Sequence, residues 1–290
     1  MNAIVTPATP RPKAIGITVR RLAFNPARIP RQYFARSPLG SHLLTALSST
    51  FPIGEQFFVH SVRNVRDRIE DKALQAQISA FIGQEAMHSQ AHDQFNQSWR
   101  RDDYQLDSFM AWLAREDSRA KSIPKIYQLA VTCAFEHFTA MLGEYILSHP
   151  NMVESFDAEA TRLWIWHAIE ESEHKAVAYD VYQAVYADVK VRRRTMLSVT
   201  SAFGSLVAYS TWRLMWQDRK NSLYSVKGMI GNVRGALLLA RMAIALAPEW
   251  LEYFKTDFHP NQRDSSALLA HWRAYLDQTM PPPAKPILVA

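Results

Sequence analysis

The sequence predicts an all-α protein: a four-helix bundle with additional C-terminal helices. Three observations carry that prediction. Apolar residues recur at three- and four-residue steps from Ser41 to about Ala187. No stretch in that span alternates apolar and polar residues as a strand does. Glycine is sparse, 9 in 290 residues, which disfavours turn-rich β folds and glycine-loop nucleotide folds. The single cysteine, Cys133, excludes a disulfide scaffold and a Cys-rich zinc site, and it fits a reducing compartment.

Residues 1–40 read as an extended basic N-terminal arm. Pro7, Pro10, Pro12, Pro26, Pro30 and Pro38 forbid a long helix there. The arm lacks the apolar stretch of a secretory signal, and its prolines interrupt any transit-peptide helix. The first long helix is predicted over 52–70, with Pro52 in its first turn behind Ser48-Ser49-Thr50. The second covers 72–99. Asp102, Asp103 and Asp107 mark a boundary before a shorter helix near 107–119. Ser122-Ile123-Pro124 opens a helix over 123–148, stopped by His149-Pro150-Asn151, and another covers 155–186. Four long helices in two pairs predict an antiparallel bundle over residues 41–190.

Residues 191–290 read as a basic, apolar helical extension packing on that bundle. The uncharged run Thr195–Trp212 is too rich in Ser and Thr for a confident membrane span. Arg213, Lys220, Lys227, Arg234 and Arg241 fall at seven-residue spacing, a basic stripe if the helix is continuous. Asn221-Ser222 and Gly228 are positions where it could break. The stripe and its neighbours Trp212, Trp216, Tyr224 and Met229 suit either peripheral contact with an anionic membrane through 195–247 or a solvated face on packed helices.

The net charge of +6 is unevenly distributed. Residues 1–54 carry seven basic and no acidic residues; 55–189 carry 12 basic and 21 acidic; 190–290 carry 14 basic and 6 acidic. The acidic middle argues against a nucleic-acid partner inferred from overall basicity.

That middle contains the chemistry. Glu85-Ala86-Met87-His88 and Glu171-Ser172-Glu173-His174 are two Glu-x-x-His pairs, each able to present a carboxylate and an imidazole on one helical face. Glu55 and Glu136 lie in the helices that precede them. Each residue alone is equally well a surface glutamate or a buried histidine. All six in this order match the ligand set of a di-iron or di-manganese carboxylate site, one Glu from each of two helices and a Glu-x-x-His from each of the others. Four carboxylates offset the charge of two dications, and oxygen with imidazole donors suits iron or manganese. His167 joins the face of Glu171 and His174 as a seventh candidate. His92 and Glu144 are lesser ones. Glu170 is placed to orient the ring of His88, and Asp180 that of His174. Phe58, Phe81, Phe135 and Trp164 are either walls of such a site or plain core.

The stretches Phe51–Phe58, Gln84–His88 with His92, Glu136–Ala140 and Trp166–Lys175 resemble the bacterial family labelled "predicted metal-dependent hydrolase". The resemblance covers about residues 15–187, with a weaker echo at Tyr253-Phe254 and Phe258-His259-Pro260. The motif layout is also similar to ferritin-like di-iron oxygenases. The run His167, Glu171, His174 resembles the histidine-rich site of arylamine N-oxygenases. The resemblance implies a ferritin-like bundle with Glu55, Glu85, His88, Glu136, His167, Glu171 and His174 as metal ligands, and no catalytic residue beyond them. The cofactors implied are two Fe ions, or Mn or mixed Fe/Mn, with O2 as co-substrate. The activity expected is a non-heme di-iron oxidase or oxygenase acting on a hydrophobic or amine-bearing small molecule, supplied by an external electron donor. The alternatives are a dinuclear hydrolase of an ester or phosphoester, and a non-enzymatic metal-binding protein. The location expected is cytoplasmic, with or without membrane association.

Overall fold

A computed structural model describes residues 16–101, 104–105 and 107–279. The arm's first fifteen residues, the boundary read at Asp102 and Asp103, and the chain after Thr279 lie outside the described residues. The protein is all-α. Its helices are α1 (Pro38–Arg63), α2 (Lys72–Arg101), α3 (Asp107–Ala120), α4 (Lys125–Ser148), α5 (Pro150–Val153), α6 (Ala158–His174), α7 (Val177–Val185), α8 (Val189–Gln217), α9 (Arg219–Ser222), α10 (Val226–Glu252) and α11 (Ser266–Thr279). An isolated bridge between Phe34 and Phe156 is the only extended pairing among the described residues.

α1 packs along α2, and α4 along α6; α1 also meets α4, and α2 meets α6 and α7. α8 and α10 lie against both α1 and α4, and α11 against α6. Apolar clusters flank the four-helix centre. One joins Phe95, Trp99, Ile165 and Trp166; another joins Phe57, Ile78, Phe81 and Leu129.

α1 begins earlier than the sequence predicted. Ser37 caps it by accepting from Gly40 N, and Pro38 occupies its first turn. Pro52 is therefore interior to the helix, a position that normally leaves the carbonyl four residues back without a donor. Here Asn96 on α2 repairs the loss: its Nδ2 donates to Ser48 O at 2.9 Å. Ser89 Oγ on the same helix donates to Pro52 O at 3.1 Å.

The helix predicted over 155–186 is interrupted at Lys175-Ala176, directly after His174, without glycine or proline to announce it. The C-terminal stripe is likewise not continuous, since Asp218 and the Leu223–Ser225 turn separate α8, α9 and α10. Among the described helices, α10 is long and apolar enough to cross a membrane by length and composition. The described part of the arm is not a free tail. Val19 sits on α2 at Gly83, where a Cβ would come within 2.6 Å of it.

Candidate metal centre

The four helices around the centre each contribute to it. α1 supplies Glu55, α2 supplies Glu85 and His88, α4 supplies Glu136, and α6 supplies His167, Glu171 and His174; all seven side chains are buried. They form two groups, Glu55 with His88 and His167, and Glu85 with Glu171 and His174, each with ligand atoms within 4.8 Å of one another. Glu171 faces both: one oxygen lies 2.9 Å from His167 Nε2 and 3.4 Å from His88 Nδ1, the other 3.3 Å from His174 Nε2. Glu85 Oε1 stands 3.1 Å from His174 Nε2 and 3.7 Å from His88 Nδ1. Glu136 joins through His174 at 3.2 Å.

Both carboxylate oxygens of Glu55, Glu85 and Glu136 are buried without a hydrogen-bond partner among the described residues, as is His174 Nε2. Buried carboxylates left this way are costly unless a cation meets them. The donor set fits two divalent metal ions of the iron or manganese type.

Surrounding residues determine which ring nitrogen each histidine offers. Gln84 Nε2 donates to Glu173 at 2.8 Å and to Thr18 O at 3.0 Å, so its Oε1 accepts from His174 Nδ1 at 2.8 Å. Glu170 Oε2 lies 3.2 Å from His88 Nε2. Its other oxygen accepts from Trp166 Nε1 and from Arg20, each at 3.1 Å. His167 Nδ1 lies 2.7 Å from His92 Nε2, and His92 Nδ1 lies 2.8 Å from Ser48 Oγ, which donates to Asn96 Oδ1. Because Asn96 Oδ1 only accepts, protons along this chain point from His167 toward Asn96. All three ligand rings thus turn a lone pair to the centre.

Electrostatics follow from burial. It pushes Glu55 and Glu85 well above the usual carboxylate range and Glu136 up to about 7. It works against charge on His88 and His174, but the surrounding carboxylates outweigh it and hold both well above the ordinary histidine value. Burial, reinforced by the charge on His88, brings His167 down to about 4. Glu171 is held well below the usual range because His174 and the other rings overcome its burial.

Two expectations from sequence are corrected. Asp180 does not reach His174; it sits on α7, beyond the interruption, and binds His259 Nε2 at 3.0 Å. Gln84 takes the role assigned to it. Glu144 is not near the centre: it pairs with Lys175 at 2.7 Å. His92 has one ring nitrogen on His167 and the other on Ser48, so it is not itself placed as a ligand. Phe81 meets the ring of His174 edge-on at 5.0 Å, whereas Phe58 and Phe135 stack on each other in the core. Gln84, Arg20 and Asn96 were missed. The only available signal was position: Gln84 and Glu170 each precede a ligand glutamate by one residue.

Beside His167 and Glu171 lies a cavity of about 70 Å³ walled almost wholly by apolar groups, including Leu47, Phe51, Ile146, Trp164, Leu239 and Met242.

The family described as "Predicted metal-dependent hydrolase" matches residues 18–264. The match reaches beyond residue 187, through α8, α9 and α10, and ends before α11. No curated protein and no solved structure matches the chain.

Proposed function

Since the chain belongs to the predicted metal-dependent hydrolase family, we propose that it is a dinuclear metalloenzyme that uses O2 to oxidise an apolar or amine-bearing small molecule. The ligands in this reading are Glu55, Glu85, His88, Glu136, His167, Glu171 and His174. The observation that carries it is Glu171, whose two oxygens face the two groups of donors in a buried, four-helix setting. This arrangement resembles ferritin-like di-iron carboxylate proteins. Two iron ions, or manganese, would supply the redox chemistry.

The protein's part is positional. Glu171 stands between the two groups of donors and Glu85 beside His174 and His88, so each would help hold the metal ions. Glu170, Gln84 and His92 hold the rings of His88, His174 and His167 with their lone pairs inward. The cavity at His167 and Glu171 excludes water and offers an apolar substrate little but van der Waals contact. Reducing equivalents come from an external donor in this reading.

A second reading has a specific ground. The family's description favours hydrolysis of an ester or phosphoester over oxidation, with metal ions activating water.

Metal analysis followed by anaerobic loading with Fe(II) and rapid mixing with O2 separates the two. Oxygen uptake in proportion to bound iron, with a transient visible absorption lost in Glu85→Ala and His174→Ala, supports oxidation. A protein that binds zinc, consumes no O2 and cleaves model esters supports hydrolysis. Metal content unchanged in Glu171→Ala would remove the site assignment itself.

A further inference from the structure

α10 is built inside out. Its inner face carries Gly228, Gly231 and Gly235, all buried. A Cβ on Gly231 would stand 2.5 Å from Arg36 O, and one on Gly235 would collide with Ser37 Oγ, so the helix must seat these residues against the start of α1. Asn232 locks the rotation, accepting from Leu39 N at 2.9 Å and donating to Ser222 O at 2.8 Å. The large apolar residues point the other way. Met229, Ile230, Val233, Leu237, Ile244 and Leu251 are all exposed, Ile244 at 75%. A helix facing only water has the reverse pattern.

Over most of this helix the charge has one sign. Between Val226 and Pro248 there is no acidic residue, while Lys227, Arg234 and Arg241 run along one edge, as their spacing on a helix requires. Arg234 and Arg241 also line a groove with Arg36; the groove contains Glu154 and Asp157, but none of the three arginines makes an ion pair among the described residues. On α8, Tyr209, Trp212 and Trp216 form an exposed ladder with ring centroids 6.1 and 6.3 Å apart. An exposed apolar helix face edged by cationic residues is what the interfacial layer of a bilayer accommodates, and exposed tyrosine and tryptophan are common there.

We propose that the outer face of α10 docks flat on an anionic lipid bilayer, with Leu237 and Ile244 inserted and Arg36, Arg234 and Arg241 at the headgroups. Flat docking, not spanning, follows from the inner face being committed to α1 and to the cavity through Leu239 and Met242. A second copy of the chain is a poorer occupant, because a two-fold contact through this helix would set the Lys227, Arg234 and Arg241 edges of two copies together.

The test is flotation of the full-length protein with vesicles of phosphatidylcholine alone or mixed with phosphatidylglycerol. Binding is expected to the mixed vesicles, weakened by high salt. The double variant L237E/I244E should lose at least tenfold in binding while keeping the parent's circular dichroism and melting curve, since both sites are exposed. R234A/R241A should lose binding to mixed vesicles more than to neutral ones. Three outcomes overturn the proposal: no binding to mixed vesicles, binding unchanged in L237E/I244E, or a lipid-free dimer that this variant converts to monomer. Membrane material that resists alkaline carbonate extraction would overturn the flat geometry in favour of a span.

Discussion

Gln84 on α2 holds His174 on α6: its Oε1 accepts from the ring at 2.8 Å. The relationship has a counterpart, because Glu170 on α6 stands 3.2 Å from His88 on α2. Each orienting residue immediately precedes a ligand glutamate, and each serves the histidine of the opposite helix. The two Glu-x-x-His motifs are thus cross-braced, and neither ring is positioned by its own helix alone.

Gln84→Leu removes the acceptor for His174 Nδ1 and frees the ring to turn. The expected result is a loss of about ten- to a hundredfold in metal affinity, read by competition with a chelator, with the helical circular dichroism unchanged.

Metal removal should make stability fall with rising pH. In the metal-free protein Glu55 and Glu85 are held above the usual carboxylate range by burial, and His88 and His174 above the usual histidine value by carboxylates. Above about pH 7 the folded state keeps protons that the unfolded chain has released, so stability drops as pH rises. His167, at about 4, titrates below that window. Bound metal replaces those protons. The gap in melting temperature between metal-loaded and chelated protein should therefore widen from about pH 7 to about pH 9; a constant gap would contradict this.

Glu173 gives an acid limb of its own. Burial opposes its ionisation, but Arg20 and Arg273 hold its carboxyl below the usual range. That stabilisation is present above about pH 4.5 and is lost as pH falls through the lowered value. Arg20→Leu should cost about 2 kcal/mol at neutral pH. Denaturant titrations should show the difference from the parent shrinking as the medium is acidified.

Asn96→Ala leaves the carbonyl of Ser48 buried without a donor, at a cost of about 1–3 kcal/mol. Pro52→Ala restores a backbone donor to that carbonyl. In a double-mutant cycle the pair should therefore lose less than the sum of the single losses, measured by urea denaturation.

Helical periodicity and the order Glu, Glu-x-x-His, twice over, point to the bundle and to six side chains that the fold brings together, and the shared helical face of Glu171 and His174 adds His167 as the seventh. What they did not reveal depends on contacts between helices. The acceptor for His174 could not be found along its own helix, because it comes from α2; Asp180 looked suitable only while 155–186 read as one helix. Pro52 read as a helix start because its remedy, Asn96, lies 44 residues on. Heptad spacing alone does not say whether the basic stripe is continuous; Asn221-Ser222, named from the sequence as a possible break, lies directly before the turn at Leu223–Ser225.

α10 also sets how the cavity is closed. Leu239 and Met242 face the cavity, while Leu237 and Ile244 in the same turns face outward. On that side the chamber is therefore one helix thick, about 10 Å. A substitution at Leu239 or Met242 would therefore change the wall of the chamber beside His167 and Glu171 without touching a ligand.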